Sequence, residues 1–268
     1  MLNPYEITEP TCISFSGGRT SAYMLYKVLE MHGGKLPGDA IVCFANTGKE
    51  DSATLQFVHD CETNWNVKIT WLEFLPDNPK YKIVDFNTAS RSGEPFEQLI
   101  NKKKYLPNTF ARFCTTELKI IPIERFMESL GYEDFVTFVG IRADEPRRVA
   151  KMKNNKSIKE TPLATDKVTT KDVLDFWDKQ SFNLQTVTVN GNSLLSNCDL
   201  CFLKKADHLV SLVRDNPNRA IWWAEQEKHI GARFNQAHPS YADMLTFNEK
   251  QNNLFDPDEE GIACFCGD

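Results

Sequence analysis

Two groups of residues have types and spacing suited to chemistry. The first is the run Ser14-Phe15-Ser16-Gly17-Gly18-Arg19-Thr20-Ser21. Paired glycines let a backbone approach an anion closely, hydroxyls donate to phosphate oxygens, and a helix starting just beyond presents unpaired N–H groups at its positive dipole end. A side chain added at Gly17 is expected to occupy the phosphate position. The run has neither the Gly-Lys-Ser/Thr ending of a P-loop nor the spaced glycines of a dinucleotide fold. The second group is made of cysteines. Cys198 and Cys201 form a Cys-x-x-Cys, and Cys264-x-Cys266 closes the chain. Short spacing lets two thiolates reach one ion with little loop-closure cost, and a helix after Cys201 would lower thiolate pKa. One reading is a tetrahedral zinc on Cys198, Cys201, Cys264 and Cys266 that pins the tail; the plain alternative is reduced thiols. Cys12, Cys43 and Cys61 lie on apolar faces and read as core.

The elements that must position these residues follow from the apolar pattern. Cys12 to Phe15 reads as a strand, and a helix over 20–32 follows, with Ala22, Leu25, Val28 and Leu29 at helical spacing and Gly33-Gly34 as its stop. Ala40 to Ala45 is a second strand, apolar enough for burial on both faces. Asp51 or Ser52 caps a second helix, and Val67 to Glu73 alternates as a third strand. Residues 76–112, rich in Pro and Gly and carrying Lys102-Lys103-Lys104, read as long connections. A helix near 117–130 and a strand over 135–141 restore the rhythm. The pattern predicts an α/β fold around a largely parallel sheet over 1–160 and a helical region over 161–268.

With these elements in place, the loop resembles that of the PP-loop ATP pyrophosphatase superfamily, in the branch with phosphoadenylyl-sulfate reductases and reductase-like sulfurtransferases. The family loop is Ser-Gly-Gly-x-Asp-Ser; Thr20 stands here at the Asp position, which bears on how magnesium would be held. Asn46-Thr47-Gly48 after the second strand, the segment Arg112-Phe113-Cys114 through Lys119, and Gly140-Ile141-Arg142 with Arg147 and Arg148 match further family segments in order. The resemblance implies an adenine nucleotide alpha hydrolase-like, Rossmann-like parallel sheet with helices on both faces. It implies ATP or another adenine nucleotide at Ser14, Ser16, Gly17, Gly18, Arg19, Thr20, Ser21, Asn46, Thr47, Gly140 and Arg147. Lys119, Arg142 and Arg112 would offset charge on the α-phosphate. The resemblance also implies that Cys114 would join Cys198, Cys201 and one of Cys264 or Cys266 in a 4Fe–4S cluster, the alternative to zinc. The implied activity is adenylyl or sulfur transfer to a nucleic acid or small molecule, with RNA, DNA or a sulfur-donor protein as partner. Two other readings are release of sulfite from an adenylyl sulfate, and a nucleotide-binding regulator with structural zinc. The Glu-Cys-Gly-x-His ending of thioredoxin-dependent reductases is missing.

Composition narrows the classes. The chain has 268 residues, 25% of them charged, a net charge of −6, a pI near 5.5 and a mean hydropathy of −0.43. These values argue against coating nucleic acid through bulk charge. No apolar run approaches the roughly 20 residues of a membrane helix, so a cytoplasmic protein without membrane partners is expected. Eight cysteines without an export signal point to reduced or metal-bound thiols. The five histidines show no metalloprotease spacing, and no Gly-x-Ser-x-Gly elbow is present. Trp222-Trp223 with Phe234 and Tyr241 read as helical core, with a base-stacking platform as the alternative.

Overall fold

A computed structural model describes residues 3–153, 159–189 and 192–247; Cys264 and Cys266 lie outside the described residues. The strands of the main sheet are β1 (Thr11–Phe15), β2 (Ala40–Asn46), β3 (Ile69–Phe74), β4 (Tyr81–Val84), β5 (Val136–Val139) and β6 (Lys159–Glu160). Their spatial order is β4-β3-β2-β1-β5-β6, parallel throughout except for the β3–β4 pair. Because β1 sits between β2 and β5, the connections leave it in opposite directions, and its carboxyl end lies at the switch point where open α/β sheets bind ligands.

The helices of the α/β part are α1 (Arg19–Met31), α2 (Ser52–Asn64), α3 (Glu94–Lys103), α4 (Phe113–Thr115), α5 (Ile121–Ser129), α6 (Pro146–Lys153), α7 (Pro162–Thr165) and α8 (Thr170–Trp177). After the small hairpin β7 (Thr188–Val189) and β8 (Asn192–Ser193) come α9 (Ala206–Asp215), α10 (Asn218–Ile230) and α11 (Tyr241–Phe247). Strand alternation sorts the sheet residues onto two faces. Ile13, Phe15, Val42, Phe44, Ile69, Trp71, Val136 and Phe138 pack with buried residues of α1, α2 and α8. On the opposite face Cys12, Cys43 and Leu72 pack under Phe126 and Met127 of α5. Helices thus cover both faces, as the α/β reading requires.

The segment 76–112 departs from the expectation of bare connections. It carries β4, an edge strand held by its pairing to β3, whose Ile83 is 61% exposed and gave no apolar signal. It also carries α3, whose Phe96, Leu99 and Ile100 are buried on one face behind Gly93 in the left-handed conformation and Pro95 in the first turn. The helix expected near 117–130 begins earlier, at Phe113, and passes through a π-helical turn at Thr116–Ile120. Pro122 explains the widened turn: it has no N–H to give the carbonyl four residues back.

The helical region forms its own cluster around Leu209, Leu212, Trp223, Phe234 and Tyr241, and that cluster also takes in Phe74 of β3 and Phe96, Leu99 and Ile100 of α3. Conversely, Leu163, Val168, Val173, Trp177 and Leu184 belong to the core under β1. Apolar packing therefore crosses residue 160 in both directions.

Candidate functional site

Between the last residue of β1 and the first of α1 only Ser16, Gly17 and Gly18 make the turn. Gly18 is the N-cap of α1; no side chain caps it and no acid lies in the first turn. The leading N–H groups of a helix have no partner within it, so this end offers donors and a positive dipole to an anion. The loop braces itself. Ser21 Oγ accepts from the Ser16 N–H at 3.1 Å and donates to the Gly18 carbonyl at 3.0 Å, with Ser16 Oγ 2.9 Å away.

Gly17 has φ +81°, and a Cβ there would lie 2.7 Å from Thr54 Cγ2 and 3.3 Å from Phe44 Cε2 and Val58 Cγ2. The space beside it belongs to β2 and α2. The expectation that a side chain would fill the phosphate position is corrected: Gly17 is required by its backbone conformation and by the close approach of α2.

Thr20 is buried, and its Oγ1 accepts from Arg142 Nη1 at 2.7 Å. The rest of that guanidinium is held by Asp144 at 3.1 Å and Glu145 at 3.6 Å, so a cation stands anchored at the loop. Gly140 lets the end of β5 abut the first turn of α1, since a Cβ there would lie 2.9 Å from Ser21 Cα. Arg19 reaches away along the chain, donating to Asn183 Oδ1 and the Leu184 carbonyl, both at 2.7 Å. Arg147 is exposed, whereas its neighbour Arg148 is buried, bonded through Nη1 to Glu145, with Nε and Nη2 unpartnered. Arg112 is half-buried and donates from Nε to the Thr109 carbonyl at 3.2 Å.

A groove of about 540 Å³ opens on the sheet face opposite α1, a size typical of small-molecule sites. It exists because α5 packs over β2 to β4 and over β1 only at Cys12, leaving the carboxyl end of β1 and the adjoining β5 open. Ser14, Ser16, Ser21, Thr115, Lys119 and Gly140 form its loop end; Ile120, Ile123, Phe135, Val139 and Met152 supply apolar walls. On the other face a smaller cavity of about 50 Å³ touches Ser16 to Thr20, Thr54, Arg142, Thr170 and Asn197.

Asn46 and Thr47 line neither opening. Asn46 Nδ2 donates to Glu73 Oε1 at 2.6 Å and to the Ser90 carbonyl at 2.9 Å, and its Oδ1 accepts from Gly48 N at 3.1 Å. Thr47 donates from both N and Oγ1 to Glu50 Oε2 at 2.8 Å, and its hydroxyl shares a 3.4 Å hydrogen bond with Cys198 Sγ. The other oxygen of Glu50 lies 3.9 Å from Lys119 Nζ, which ties this buried corner to the groove. Lys49 and Asp199 pair at 3.4 Å, each side chain only 9% exposed, and Asp199 Oδ1 accepts from Trp223 Nε1 at 2.9 Å. Lys49, Glu50 and Asp199 escape a reading of the sequence, because a Gly-Lys-Glu-Asp run is indistinguishable from a solvated turn until something covers it. Trp223 is fully buried against Phe96, Phe234 and Tyr241, which makes it core.

Cys114, Cys198 and Cys201 all belong to the apolar cluster of the helical region. Among the described residues no group of three or more His, Cys, Asp or Glu is arranged to hold a metal, so these thiols are gathered without forming a closed site. The expected helix start beside Cys201 is not found, since α9 begins only at Ala206. Burial pushes the Cys198 thiol well above its ordinary pKa, the charge of Glu50 adds to this, and Lys119 opposes it.

The glycine turn, the uncapped α1 and the central position of β1 define a nucleotide-binding enzyme of the PP-loop class. Residues 10–186 match the family model of the phosphoadenosine phosphosulfate reductase domain, and the chain belongs to that family. It is 31% identical over 210 residues to the uncharacterized nin region protein ORF290 of Escherichia phage lambda, covering 75% of this chain and 68% of the phage protein. It is also 31% identical over 144 residues to an uncharacterized protein of Methanocaldococcus jannaschii, covering 53% of this chain and 25% of that protein. Among solved structures, the U34-tRNA thiolase NcsA from Methanococcus maripaludis, with its 4Fe–4S cluster, aligns over 98% of this chain and 81% of its own at 12% identity, with a TM-score of 0.42. Among the described residues no helix is long and apolar enough to cross a membrane.

Proposed function

We propose that the chain binds ATP or a related adenine nucleotide with its sugar and base in the groove and its phosphates passing over Ser16 and Ser21 to the cavity at Gly17 to Thr20 and Arg142, and catalyses adenylyl or sulfur transfer. The observation that carries this reading is the uncapped start of α1 flanked by two anchored cations, Arg142 on Thr20 and Lys119 on Glu50. A substrate oxygen attacks the α-phosphorus, the bond to the bridging oxygen breaks, and pyrophosphate leaves with the electron pair. The N–H groups of Gly17, Gly18 and Arg19 orient the phosphates; Lys119, Arg142 and Arg112 offset the charge that builds there. Gly140 permits the close approach of β5 that keeps Arg142 in reach. Arg147 is the proposed second arginine of that segment.

Cys114, Cys198 and Cys201, with Cys264 or Cys266, are the donors proposed for a 4Fe–4S cluster; the all-thiolate set suits iron–sulfur or zinc equally. When bound, such a cluster would supply sulfur or electrons to the activated substrate, which is proposed to be RNA, DNA or a small molecule. The family description also supports a second reading, release of sulfite from an adenylyl sulfate.

Pyrophosphate release from ATP, measured on anaerobically purified protein with its iron, sulfide, zinc and visible spectrum, tests the proposal. Pyrophosphate together with about four irons and four sulfides per chain supports the transfer reading. Sulfite from adenylyl sulfate without ATP consumption supports the second. One zinc and no colour removes the cluster. Cys198→Ala is expected to lose the metal, and full retention would displace Cys198 from the donor set.

A further inference from the structure

The groove carries a charge gradient that the reaction class does not explain. At its loop end stands Lys119 beside the uncapped helix and the hydroxyls of Ser14 and Ser16. Toward its far end the charged lining, among the described residues, is Glu124, Glu128, Glu133 and Asp134 with Lys159. Glu128 is already bonded to Arg125 at 2.6 Å, and Lys159 lies in the field of Glu124. The direction of the gradient follows from the fold. The chain descends through the π turn and α5 from Lys119 to Glu128, crosses through Glu133 and Asp134, and rises along β5 to Gly140. Phe135, just before β5, and Thr137 and Val139 within it floor the groove from its acidic end to its loop end.

A nucleotide whose 5′-phosphate sits at the loop must lay its sugar and base toward the acids. Five residues of helix separate Lys119 from Glu124, about 7 Å along the axis, which is comparable to the span from a 5′-phosphate to the ribose hydroxyls. The carboxylates can accept hydrogen bonds from ribose hydroxyls and from the amino group of a base. A second phosphate on the ribose would meet the half-buried Glu124 and the field of the exposed Glu128, Glu133 and Asp134, a repulsion that salt screens.

We infer that this groove selects adenine nucleotides with an unmodified ribose, accepting a 5′-phosphate and refusing a 3′-phosphate. The inference rests on the reading that the groove is the nucleotide site. It narrows the substrate class to ATP or adenosine 5′-phosphosulfate and excludes the 3′-phosphorylated nucleotide for which the family is described.

AMP and adenosine 3′,5′-bisphosphate differ only by the 3′-phosphate, so titration calorimetry of the full chain with each tests the inference. AMP is expected to bind at least tenfold more tightly, with the gap narrowing as salt rises. Equal affinity, or tighter binding of the bisphosphate, overturns the inference and leaves the nucleotide reading standing. Binding of neither AMP, ATP nor the bisphosphate overturns both. Glu124→Gln is expected to narrow the affinity ratio severalfold, the ratio being the readout. An unchanged ratio in that variant, together with a wild-type ratio indifferent to salt, also overturns the inference.

Discussion

The glycine turn between β1 and α1 and the Cys198–Cys201 segment are both short motifs on turns, yet they are held by different means. The turn itself is braced by bonds within five residues of sequence, from Ser21 back to Ser16 and Gly18, and only the first residues of α1 reach farther, Arg19 to Asn183 and Thr20 to Arg142. The cysteine segment is held from afar: Thr47 is 151 positions from Cys198, Trp223 is 24 positions from Asp199, and Lys49 gives both its carbonyl and its ammonium to Asp199. A locally braced motif needs only its strand and helix to present donors. A motif braced at long range reports on the packing of the whole helical region, and so couples that region to the corner behind Lys119.

The hardest test of this contrast is Trp223→Ala, which empties the centre of the helical cluster and removes a donor to Asp199. A loss of about 4 kcal/mol is expected in urea unfolding. Thiol labelling of Cys198 and Cys201 should quicken well before nucleotide affinity falls; simultaneous loss of both would end the distinction between the two motifs. Asp199→Asn keeps the acceptor for Trp223 but strips Lys49 of its charge partner, with an expected loss of about 3 kcal/mol for breaking a buried pair. Lys49→Met in the same background should recover much of it.

On the loop side, Gly17→Ala combines a positive φ with a methyl pressed on Thr54, and should cost about 2 kcal/mol in thermal unfolding. Thr54→Ser, which removes the clashing methyl, should lessen that penalty; no relief would mean that the backbone conformation alone is at fault. Arg142→Ala also strips Thr20, Asp144 and Glu145 of a partner, so it should cost about 1 kcal/mol in stability and weaken ATP binding about tenfold, roughly the worth of one charge-assisted hydrogen bond near a phosphate.

The smallest effect concerns Asp144. Burial pushes its pKa up, but the bonds from Thr170 and Arg142 outweigh burial and hold it below its ordinary 3.8. A carboxylate depressed in the folded state adds stability above its unfolded pKa and loses it as pH falls through the folded value. Wild type and Asp144→Asn should therefore differ in urea midpoint near neutral pH and converge in acid; a gap that persists in acid would assign the effect to shape rather than charge.

Much of the first unit was legible because its signals are local. Apolar residues two apart in β1 and three or four apart in α1, with two glycines between them, specify strand, turn and helix without reference to the rest of the chain. The same holds for Asp51, whose side chain accepts from Ala53 N as a cap should. Legibility failed where a residue's partner lies far off. Arg147 and Arg148 are equivalent in the sequence, and only the packing of α6 leaves one exposed and buries the other. Asn46 and Thr47 stand at the carboxyl edge of the sheet as expected, but Glu73, Ser90 and Cys198 turn their side chains inward. The edge strand β4 is only four residues long, too short to show a period, and it is held by its pairing to β3.

The sequence by itself determined the α/β class and the position of the glycine turn between β1 and α1. Those depend on spacing along the chain, where neighbours are fixed by covalent connection. The tertiary structure alone decided that Gly17 yields to α2, that Lys119 is paired to Glu50, that Cys114 joins Cys198 and Cys201 in one cluster, and that α5 stops short of β5 to leave an acid-ended groove. Those depend on contacts closed over long stretches of chain, whose entropy is repaid only when the whole apolar core forms at once.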